Sequence, residues 1–365
     1  MKRSPQWRGG TFVNTLPKRP VSVSKALLKL LRGNGHAQPV GAIPIVERSA
    51  DDYVQAPESG LRVTWLGHST SLIEIDGRRL LLDPVWSERA SPFARLGPKR
   101  FHRPPLALGQ LPALDAVLIS HDHYDHLDHR TIAQLATKVP LFVVPLGVGA
   151  HLVHWGVAKE RIVELDWWQE HKLDELVLTA TPARHFSGRS VVMANQDSTL
   201  WAGWAIAGHT HRVFFSGDSG LCPEFAEIGE RLGPFDLTLM ETGAYDPLWP
   251  DVHMGPEQAI TAHQMLRGGL FVPVHWGTFK LASHGWTEPV ERLMVAAKEA
   301  GVVIAVPRPG ALVEPANFTE VERWWPLLPW QGVDETRITS TGLDSEEQPT
   351  SYTGTRPSAC LGKGS

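Results

Sequence analysis

Cysteine is almost absent from this chain, since only Cys222 and Cys360 occur among 365 residues. Two cysteines far apart in sequence supply neither a disulfide framework nor a cysteine-based zinc site. No apolar run approaches the ~20 residues that a membrane-spanning helix needs, and the N-terminus lacks the apolar core of a secretory signal. Basic charge is not in excess either: the formal net charge is −4, which is not the footprint of a nucleic-acid-binding protein. We therefore expect a cytoplasmic protein without a nucleic-acid partner.

The apolar residues, in contrast, are plentiful enough to form a substantial buried core, at 42% of the chain. From about residue 61, short apolar segments alternate with turns and with amphipathic segments. They predict strands over residues 63–66, 71–75, 79–82, 116–120, 141–144, 176–181, 201–207, 213–216, 237–240 and 270–274, and helices over 131–137, 256–266 and 289–300. Early hairpins followed by strand–helix alternation predict sheets covered by helices, in the α/β (α+β) class.

The two ends of the chain differ from this middle part. Residues 1–46 contain eight Lys or Arg and no Asp or Glu, and residues 24–33 predict a short amphipathic helix that begins at Ser24 and ends at Gly33. Its leucines could pack on the main body or its basic face could contact anionic lipid, and a cleaved transit peptide is a third interpretation. Residues 333–365 are rich in Ser, Thr, Gly and charge, which predicts a disordered tail. The expected organisation is a basic arm (1–58), a domain (59–332) and this tail.

The chain has 17 histidines, and these residues indicate where its chemistry takes place. The segment His121-Asp-His-Tyr-Asp-His126 follows a predicted buried strand. Because His121 and His123 are two residues apart, an extended backbone directs both to one side. Asp125 and His126 follow where the chain turns. Imidazole and carboxylate are ligands that zinc accepts, and mixed sets of this kind also suit manganese or iron. The segment, called the metal box below, therefore predicts a loop that serves two metal ions.

Four residues cannot complete two metal sites, so further ligands are expected from later loops. His185, Asp218 and His275 each follow a predicted strand. A single histidine in such a place is more often a surface or capping residue. Together with the metal box, however, all three become candidate ligands.

The order of these residues resembles the metallo-β-lactamase superfamily, and more narrowly its N-acylphosphatidylethanolamine-hydrolysing phospholipase D branch with its bacterial relatives. The resemblance covers residues 60–310. It extends through Trp65-Leu-Gly-His-Ser-Thr70, Leu82-Asp-Pro84, Gly97-Pro-Lys-Arg-Phe101, Pro182-Ala-Arg-His-Phe-Ser-Gly-Arg189, Gly243-Ala-Tyr245 and His275-Trp-Gly-Thr-Phe279. It implies an αββα sandwich with a dinuclear site at one edge of the paired sheets. The implied cofactors are two divalent metal ions, with Zn²⁺ expected first and Mn²⁺ or Fe²⁺ as alternatives.

The resemblance also implies a role for each candidate residue. One metal ion would take His121, His123 and His185, the other would take Asp125, His126 and His275, and Asp218 would bridge the two. Asp83 would orient a ligand imidazole, and His68 either does the same or is simply a buried, hydrogen-bonded histidine. The catalytic candidates are Asp125, Asp218 and His253, and the substrate-binding candidates are Arg184, Arg189, Tyr245 and His253. For the two arginines, a surface ion pair is an equal alternative to a phosphate clamp.

The activity implied is that of a phosphodiesterase of phospholipase D type, which would use a metal-bound hydroxide on N-acylphosphatidylethanolamine or related lipids. A soluble lactonase or a hydrolase of a small phosphorylated metabolite is the alternative, and a non-enzymatic metal-binding protein is a third hypothesis. Glu241 departs from the branch, where an apolar residue is expected. A carboxylate there would repel a phosphate or bind an amine.

The partners follow from the same reasoning. We expect a lipid or another small molecule as substrate. The 14 tryptophans, several of them within residues 324–330, either pack in the core or join the basic arm in a peripheral membrane contact. The sequence leaves a homodimer open.

Overall fold

The protein is described by a computed structural model that covers residues 1–33, 35–190 and 195–343. Its strands are β1 (Trp7–Arg8), β2 (Thr11–Phe12), β3 (Leu61–Gly67), β4 (Thr70–Ile75), β5 (Arg78–Leu82), β6 (Ala116–Leu118), β7 (Phe142–Pro145), β8 (Ile162–Leu165), β9 (Glu170–Leu173), β10 (Leu176–Thr181), β11 (Gly203–Ala207), β12 (Arg212–Phe215), β13 (Phe235–Glu241), β14 (Gly268–Val274) and β15 (Leu312–Val313). Its helices are α1 (Val23–Arg32), α2 (His129–Leu135), α3 (Gly149–His154), α4 (Glu224–Leu232), α5 (Pro256–Met265) and α6 (Glu288–Ala300).

Two mixed sheets form the centre of the molecule. The larger has seven strands in the order β15-β3-β4-β5-β6-β7-β8, and the smaller has six in the order β14-β13-β12-β11-β10-β9. In each sheet an antiparallel meander continues into parallel strands, from β5 to β8 in one and from β12 to β14 in the other. Parallel strands need crossover connections, and these supply the outer helices.

The strands are apolar on both faces because each sheet is covered on both sides. In β5, Leu80 and Leu82 belong to the core between the sheets, whereas Leu81 belongs to a second cluster with Ile132 of α2 and Leu152 of α3. This is the period of two expected of a strand. Residues of α4, α5 and α6 pack on the outer face of the six-stranded sheet. The four layers are an αββα sandwich, which confirms the predicted fold class.

Most predicted elements of the domain are found within a few residues of their expected bounds, but α3, α4, β8 and β9 were not anticipated. Helix α4 is short and contains Gly229, a residue that weakens the helical pattern. The structure gives the reason for this glycine. A Cβ atom at Gly229 would lie 2.0 Å from the carbonyl oxygen of Met265, so glycine lets α4 approach the end of α5.

The N-terminal arm lies against the domain in the part that the structure describes. Phe12 is buried, and the side-chain amide of Asn14 bonds the backbone of His185. Lys29 of α1 forms an ion pair of 2.7 Å with Asp246. Within the described residues, no helix is long and apolar enough to cross a membrane.

The predicted disordered tail needs a correction over residues 333–343. Ile338 is buried, and the backbone N–H of Thr341 donates to Asp251 at 2.6 Å. An apolar side chain among polar residues was enough to hold this segment on the domain. Residues 344–365 lie outside the described residues.

Candidate metal centre

The metal box forms a loop immediately after β6, and its first two histidines meet a third from the loop after β10. The Nδ1 atom of His123 lies 2.8 Å from Nε2 of His121 and 3.3 Å from Nε2 of His185. The Oδ2 atom of Asp218 lies 3.8 and 3.6 Å from the Nε2 atoms of His121 and His185. These four residues form one group whose ligand atoms all converge within 4.8 Å.

A second group lies on the other side of Asp218. The Oδ2 atom of Asp218 is 3.2 Å from Nε2 of His126 and 3.1 Å from Nε2 of His275. Those same nitrogens are 3.5 and 3.3 Å from Oδ2 of Asp125. The fold therefore brings together all seven residues for which the sequence predicted a ligand role, and Asp218 occupies the place between the two groups.

The donor set fits two divalent cations. Among the described residues, His126 Nε2, His275 Nε2 and Asp218 Oδ1 are buried without a hydrogen-bond partner. Buried polar atoms are normally satisfied, so three unsatisfied lone-pair donors around one space point to cations as their partners. Nitrogen and carboxylate oxygen are ligands that Zn²⁺ accepts and that Mn²⁺ and Fe²⁺ also use.

Buried acceptors orient these imidazoles. The Oδ2 atom of Asp83 accepts from His126 Nδ1 at 2.7 Å and from the Ser120 hydroxyl at 2.5 Å, and the carbonyl of Val252 accepts from His185 Nδ1 at 2.8 Å. Each of the two histidine bonds places a proton on Nδ1, which leaves Nε2 free to bind a metal ion. Burial raises the pKa of Asp83, and the bonds from His126 and Ser120 only partly oppose it. Asp83 thus occupies the orienting position that the resemblance implied.

His68 lies directly behind the second group. Its Nε2 atom is 2.9 Å from Oδ2 of Asp125, and its ring is centred 4.1 Å from that of His275. Burial and the neighbouring His275 lower the pKa of His68 to about 3, although Asp125 raises it. His68, Asp83 and His275 all have positive φ values, of 54°, 37° and 64°. Such conformations are rare outside glycine and concentrate at functional sites.

His253 borders the two groups and is held by a buried carboxylate. Its Nδ1 atom lies 2.9 Å from Oε2 of Glu241 and 3.8 Å from Oδ2 of Asp218. The other oxygen of Glu241 accepts from the backbone N–H groups of Ser219 and Met254. Burial and Asp218 raise the pKa of Glu241 well above its usual value. The oxygens of Glu241 are thus occupied within the protein, so the expectation that it would bind an amine is wrong, and its effect on a phosphate stays a prediction.

Arg184 does not have the predicted substrate-binding role. It is 1% exposed and donates to the carbonyls of Pro17 at 2.5 Å and Thr341 at 2.7 Å, and it pairs with Asp251 at 3.2 Å. Its guanidinium thus ties the arm and the segment around Thr341 to the loop that carries His185. A phosphate would have no access to it.

Arg189 and Tyr245 are also engaged within the protein. Arg189 donates to the carbonyls of Asp122 and Leu127, at 2.6 and 2.7 Å, and so braces the metal box. The Tyr245 hydroxyl donates to Glu288 at 2.8 Å, and the residue is buried. The Tyr245 hydroxyl is therefore not free for substrate, which differs from its predicted role, whereas Arg189 is engaged through Nη1 and also lines a cavity, so its substrate role stays a prediction.

Sequence reasoning missed two polar residues of the box region. Ser120 bonds Asp83 through both its backbone N–H and its hydroxyl. Asp122 is fully buried and accepts from the backbone N–H of Gly188 at 2.7 Å. Their adjacency to His121 was the one available signal, and side chains that neighbour ligands often support them.

The family described as "Beta-lactamase superfamily domain" matches residues 78–276, a span that includes the metal box and the three later ligand candidates. The chain belongs to the metallo-β-lactamase superfamily. An uncharacterized protein of Mycobacterium tuberculosis is 48% identical, over 89% of this chain and 88% of the relative. The N-acyl-phosphatidylethanolamine-hydrolyzing phospholipase D 1 of Caenorhabditis elegans is 37% identical, over 69% of this chain and 73% of the relative.

Solved structures of the superfamily have the same fold. The metallo hydrolase Igni18 of Ignicoccus hospitalis has a TM-score of 0.52 at 25% identity and covers 69% of this chain and 97% of its own. An isothiocyanate hydrolase from Delia radicum gut bacteria has a TM-score of 0.56 at 21% identity, and the match covers 69% of this chain and 98% of that structure's chain. This protein is a metal-dependent hydrolase of the superfamily. Its relatives include one that is named for the hydrolysis of N-acylphosphatidylethanolamine.

Proposed function

We propose that this protein is a zinc-dependent phosphodiesterase that hydrolyses N-acylphosphatidylethanolamine or a closely related lipid to an N-acylethanolamine and a phosphatidic acid. The identity of 37% to the C. elegans relative, whose printed name carries this activity, supports the substrate class. The observation that carries the reaction type is the pairing of two ligand groups around Asp218 with His253 at their open side. Such a pair of sites is typical of enzymes that displace one phosphoryl substituent in line.

The metal ions, when bound, would neutralise charge on the phosphoryl oxygens and lower the pKa of a coordinated water. Asp218, Asp125 and the ligand histidines would hold them in place with donor atoms that zinc accepts. Asp83 and Val252 fix the ring orientation of His126 and His185, so each imidazole meets the metal with the same nitrogen.

His253 is the candidate for proton transfer. Its side chain is 14% exposed, whereas most ligand side chains are fully buried. Burial lowers its pKa to about 4, with Asp218 opposing and His275 reinforcing the effect, so the ring is neutral at pH 7. Because Nδ1 faces Glu241 at 2.9 Å, Nε2 is the nitrogen left for proton transfer. It can accept the proton of the attacking water and return it to the alkoxide oxygen that leaves phosphorus.

Product analysis by mass spectrometry tests the proposal. Zinc-loaded protein is offered N-acylphosphatidylethanolamine in mixed micelles, beside the variants Asp218→Asn and Asp76→Asn. The side chains of Asp218 and Asp76 are each 2% exposed, but Asp76 lies at the far end of β4, where it binds His211. We expect N-acylethanolamine and phosphatidic acid from the parent and from Asp76→Asn only. Parent protein with filled metal sites and no release would refute this substrate and would direct the search to lactones and sugar phosphates.

A further inference from the structure

One exposed loop presents large apolar side chains to solvent. Residues 92–97 are all exposed. Among them, Phe93 is 52% and Leu96 is 66% exposed. Isolated apolar side chains on a surface are ordinary, but clusters of them mark interaction sites. We call residues 87–101 the rim loop.

Both ends of the rim loop are fastened to the loops that carry the candidate ligands. At its start, the backbone N–H and the hydroxyl of Ser87 donate to the carboxylate of Asp128, at 2.9 and 2.8 Å. At its end, the N–H of Phe101 donates to the carbonyl of Thr278 at 2.8 Å. Asp128 closely follows the metal box and Thr278 closely follows His275. The two ends of the rim loop are therefore fixed to the segments that follow the metal box and His275.

A cavity of about 290 Å³ separates the rim loop from the metal box. Phe93 and Arg89 line it on the loop side, and Tyr124, Arg130 and Trp155 line it on the opposite side. Tyr124 lies between two candidate ligands in the box. None of the seven candidate ligands lines the cavity, so it adjoins the metal box without opening into the metal centre, and its lining is largely aromatic and basic.

The charge of the rim loop is opposite to that of the whole chain. Arg89, Arg95 and Lys99 flank the two apolar residues in sequence, and the one acidic residue among residues 87–101, Glu88, pairs with Lys99 at 2.9 Å. Arg95 forms no ion pair with any described residue. Exposed apolar side chains flanked by basic ones complement a surface of anionic lipid, where the apolar groups enter the acyl boundary and the cations meet the headgroups.

We propose that the rim loop docks the protein on an anionic lipid surface by inserting Phe93 and Leu96. The inference deepens the proposed function, on which it rests for its purpose, because docking there would bring lipid to the loop that is fixed to the segments after the metal box and His275. The sequence left a second surface open for membrane contact, residues 324–330 together with the basic arm. Within residues 324–330, Trp325 is buried and Trp324 packs against Trp276, whereas Leu327 and Trp330 are 77% and 36% exposed.

Vesicle flotation without turnover tests the docking. The full, zinc-loaded chain is mixed with phosphatidylcholine vesicles, with or without phosphatidylglycerol. The test variant is Phe93→Ser/Leu96→Ser, and the matched control is Val54→Ser/Val303→Ser, which removes two equally exposed apolar side chains elsewhere. We expect the parent and the control to bind vesicles that contain phosphatidylglycerol. Binding of the test variant should fall at least about tenfold.

Two further variants separate charge from other surfaces. Arg95→Glu should weaken binding by about fivefold or more at low salt, since each basic side chain near an anionic surface contributes that much. Leu28→Ser in helix α1 should bind like the parent, although Leu28 is 49% exposed. The proposal is overturned if the parent ignores anionic vesicles, if Phe93→Ser/Leu96→Ser binds like the parent, or if Leu28→Ser alone abolishes binding.

Activity distinguishes a failure of docking from a failure of the proposed function. A small soluble phosphodiester should be hydrolysed equally by the parent and by Phe93→Ser/Leu96→Ser, because neither residue belongs to the candidate metal centre. Loop-dependent vesicle binding without lipid hydrolysis would sustain docking and remove the proposed substrate. Lipid hydrolysis with loop-independent binding would sustain the proposed substrate and refute docking through the rim loop.

Discussion

Replacing Asp83 by asparagine should damage metal binding through a single proton. In the parent, Oδ2 of Asp83 accepts from His126 Nδ1 at 2.7 Å, while Oδ1 accepts from the N–H of Ser120 at 2.7 Å. An asparagine that keeps the Ser120 bond turns its NH₂ toward His126, where two donors would then face each other. The ring relieves this by moving its proton to Nε2, the atom that lies 3.2 Å from Asp218. A protonated Nε2 cannot bind a metal ion.

The size of the effect follows from the loss of one orienting partner. Such losses typically cost about 10- to 100-fold in metal affinity, or roughly 1.4 to 2.8 kcal/mol. A competition titration of metal-free protein with a chromophoric zinc chelator measures it. Because His126 belongs to one ligand group only, we expect the titration of Asp83→Asn to separate into one tight and one weakened step.

Asp76→Asn is the matched control. The Asp76 side chain is also nearly inaccessible, at 2% exposed, and is bonded to a histidine, with 2.7 Å between its Oδ1 atom and Nδ1 of His211. It lies at the end of β4 away from the metal centre, so its zinc titration should equal that of the parent. The tautomer argument fails if Asp83→Asn retains two tight sites, or if both variants lose affinity alike.

Three other variants or conditions test the remaining contacts. Glu241→Gln should lower kcat at least about tenfold with unchanged zinc content, because His253 loses the carboxylate that orients it; an unchanged kcat in steady-state assays would contradict this. Arg184→Ala should lower the free energy of unfolding by about 3 kcal/mol, since it removes the cationic partner of the buried Asp251 carboxylate, and thermal denaturation should show it; lost activity with a normal melting temperature would instead favour a phosphate clamp. Burial lowers the pKa of His275, but Asp218 and Asp125 raise it to about 10, so the metal-free ring is protonated at pH 8. Zinc should displace that proton, so affinity should rise with pH up to about 10, and calorimetry in buffers of different ionisation enthalpy should detect proton release; a buffer-independent enthalpy would exclude it.

The fold and the ligand candidates could be predicted because local patterns determine them. Alternation of apolar residues marks strands such as β10, whose bounds match the prediction at Leu176–Thr181. The metal box has a spacing that little else in a protein requires, and ligands from later loops follow strands whose ends meet at one sheet edge.

The contacts of the charged residues could not be predicted from local pattern. Arg184 is adjacent to His185, and proximity in sequence favoured a role at the substrate. Its actual partners, Pro17 and Thr341, are 167 and 157 residues away. Glu241 was likewise placed near the site correctly, but its three hydrogen-bond partners come from two separate segments, one with Ser219 and one with His253 and Met254. Only the assembled fold shows which donors occupy such a side chain.

The contacts around His185 have a consequence for how this protein is made. Asn14 bonds both the N–H and the carbonyl of His185, at 3.0 and 2.8 Å, and the adjacent Arg184 holds Thr341. Synthesis produces these partners at very different times, with the arm first and Thr341 long after the last candidate ligand. A nascent chain can therefore carry every metal-binding side chain and still lack the brace around one of them. We expect stable metal loading to be a late event that follows the emergence of Thr341 from the ribosome.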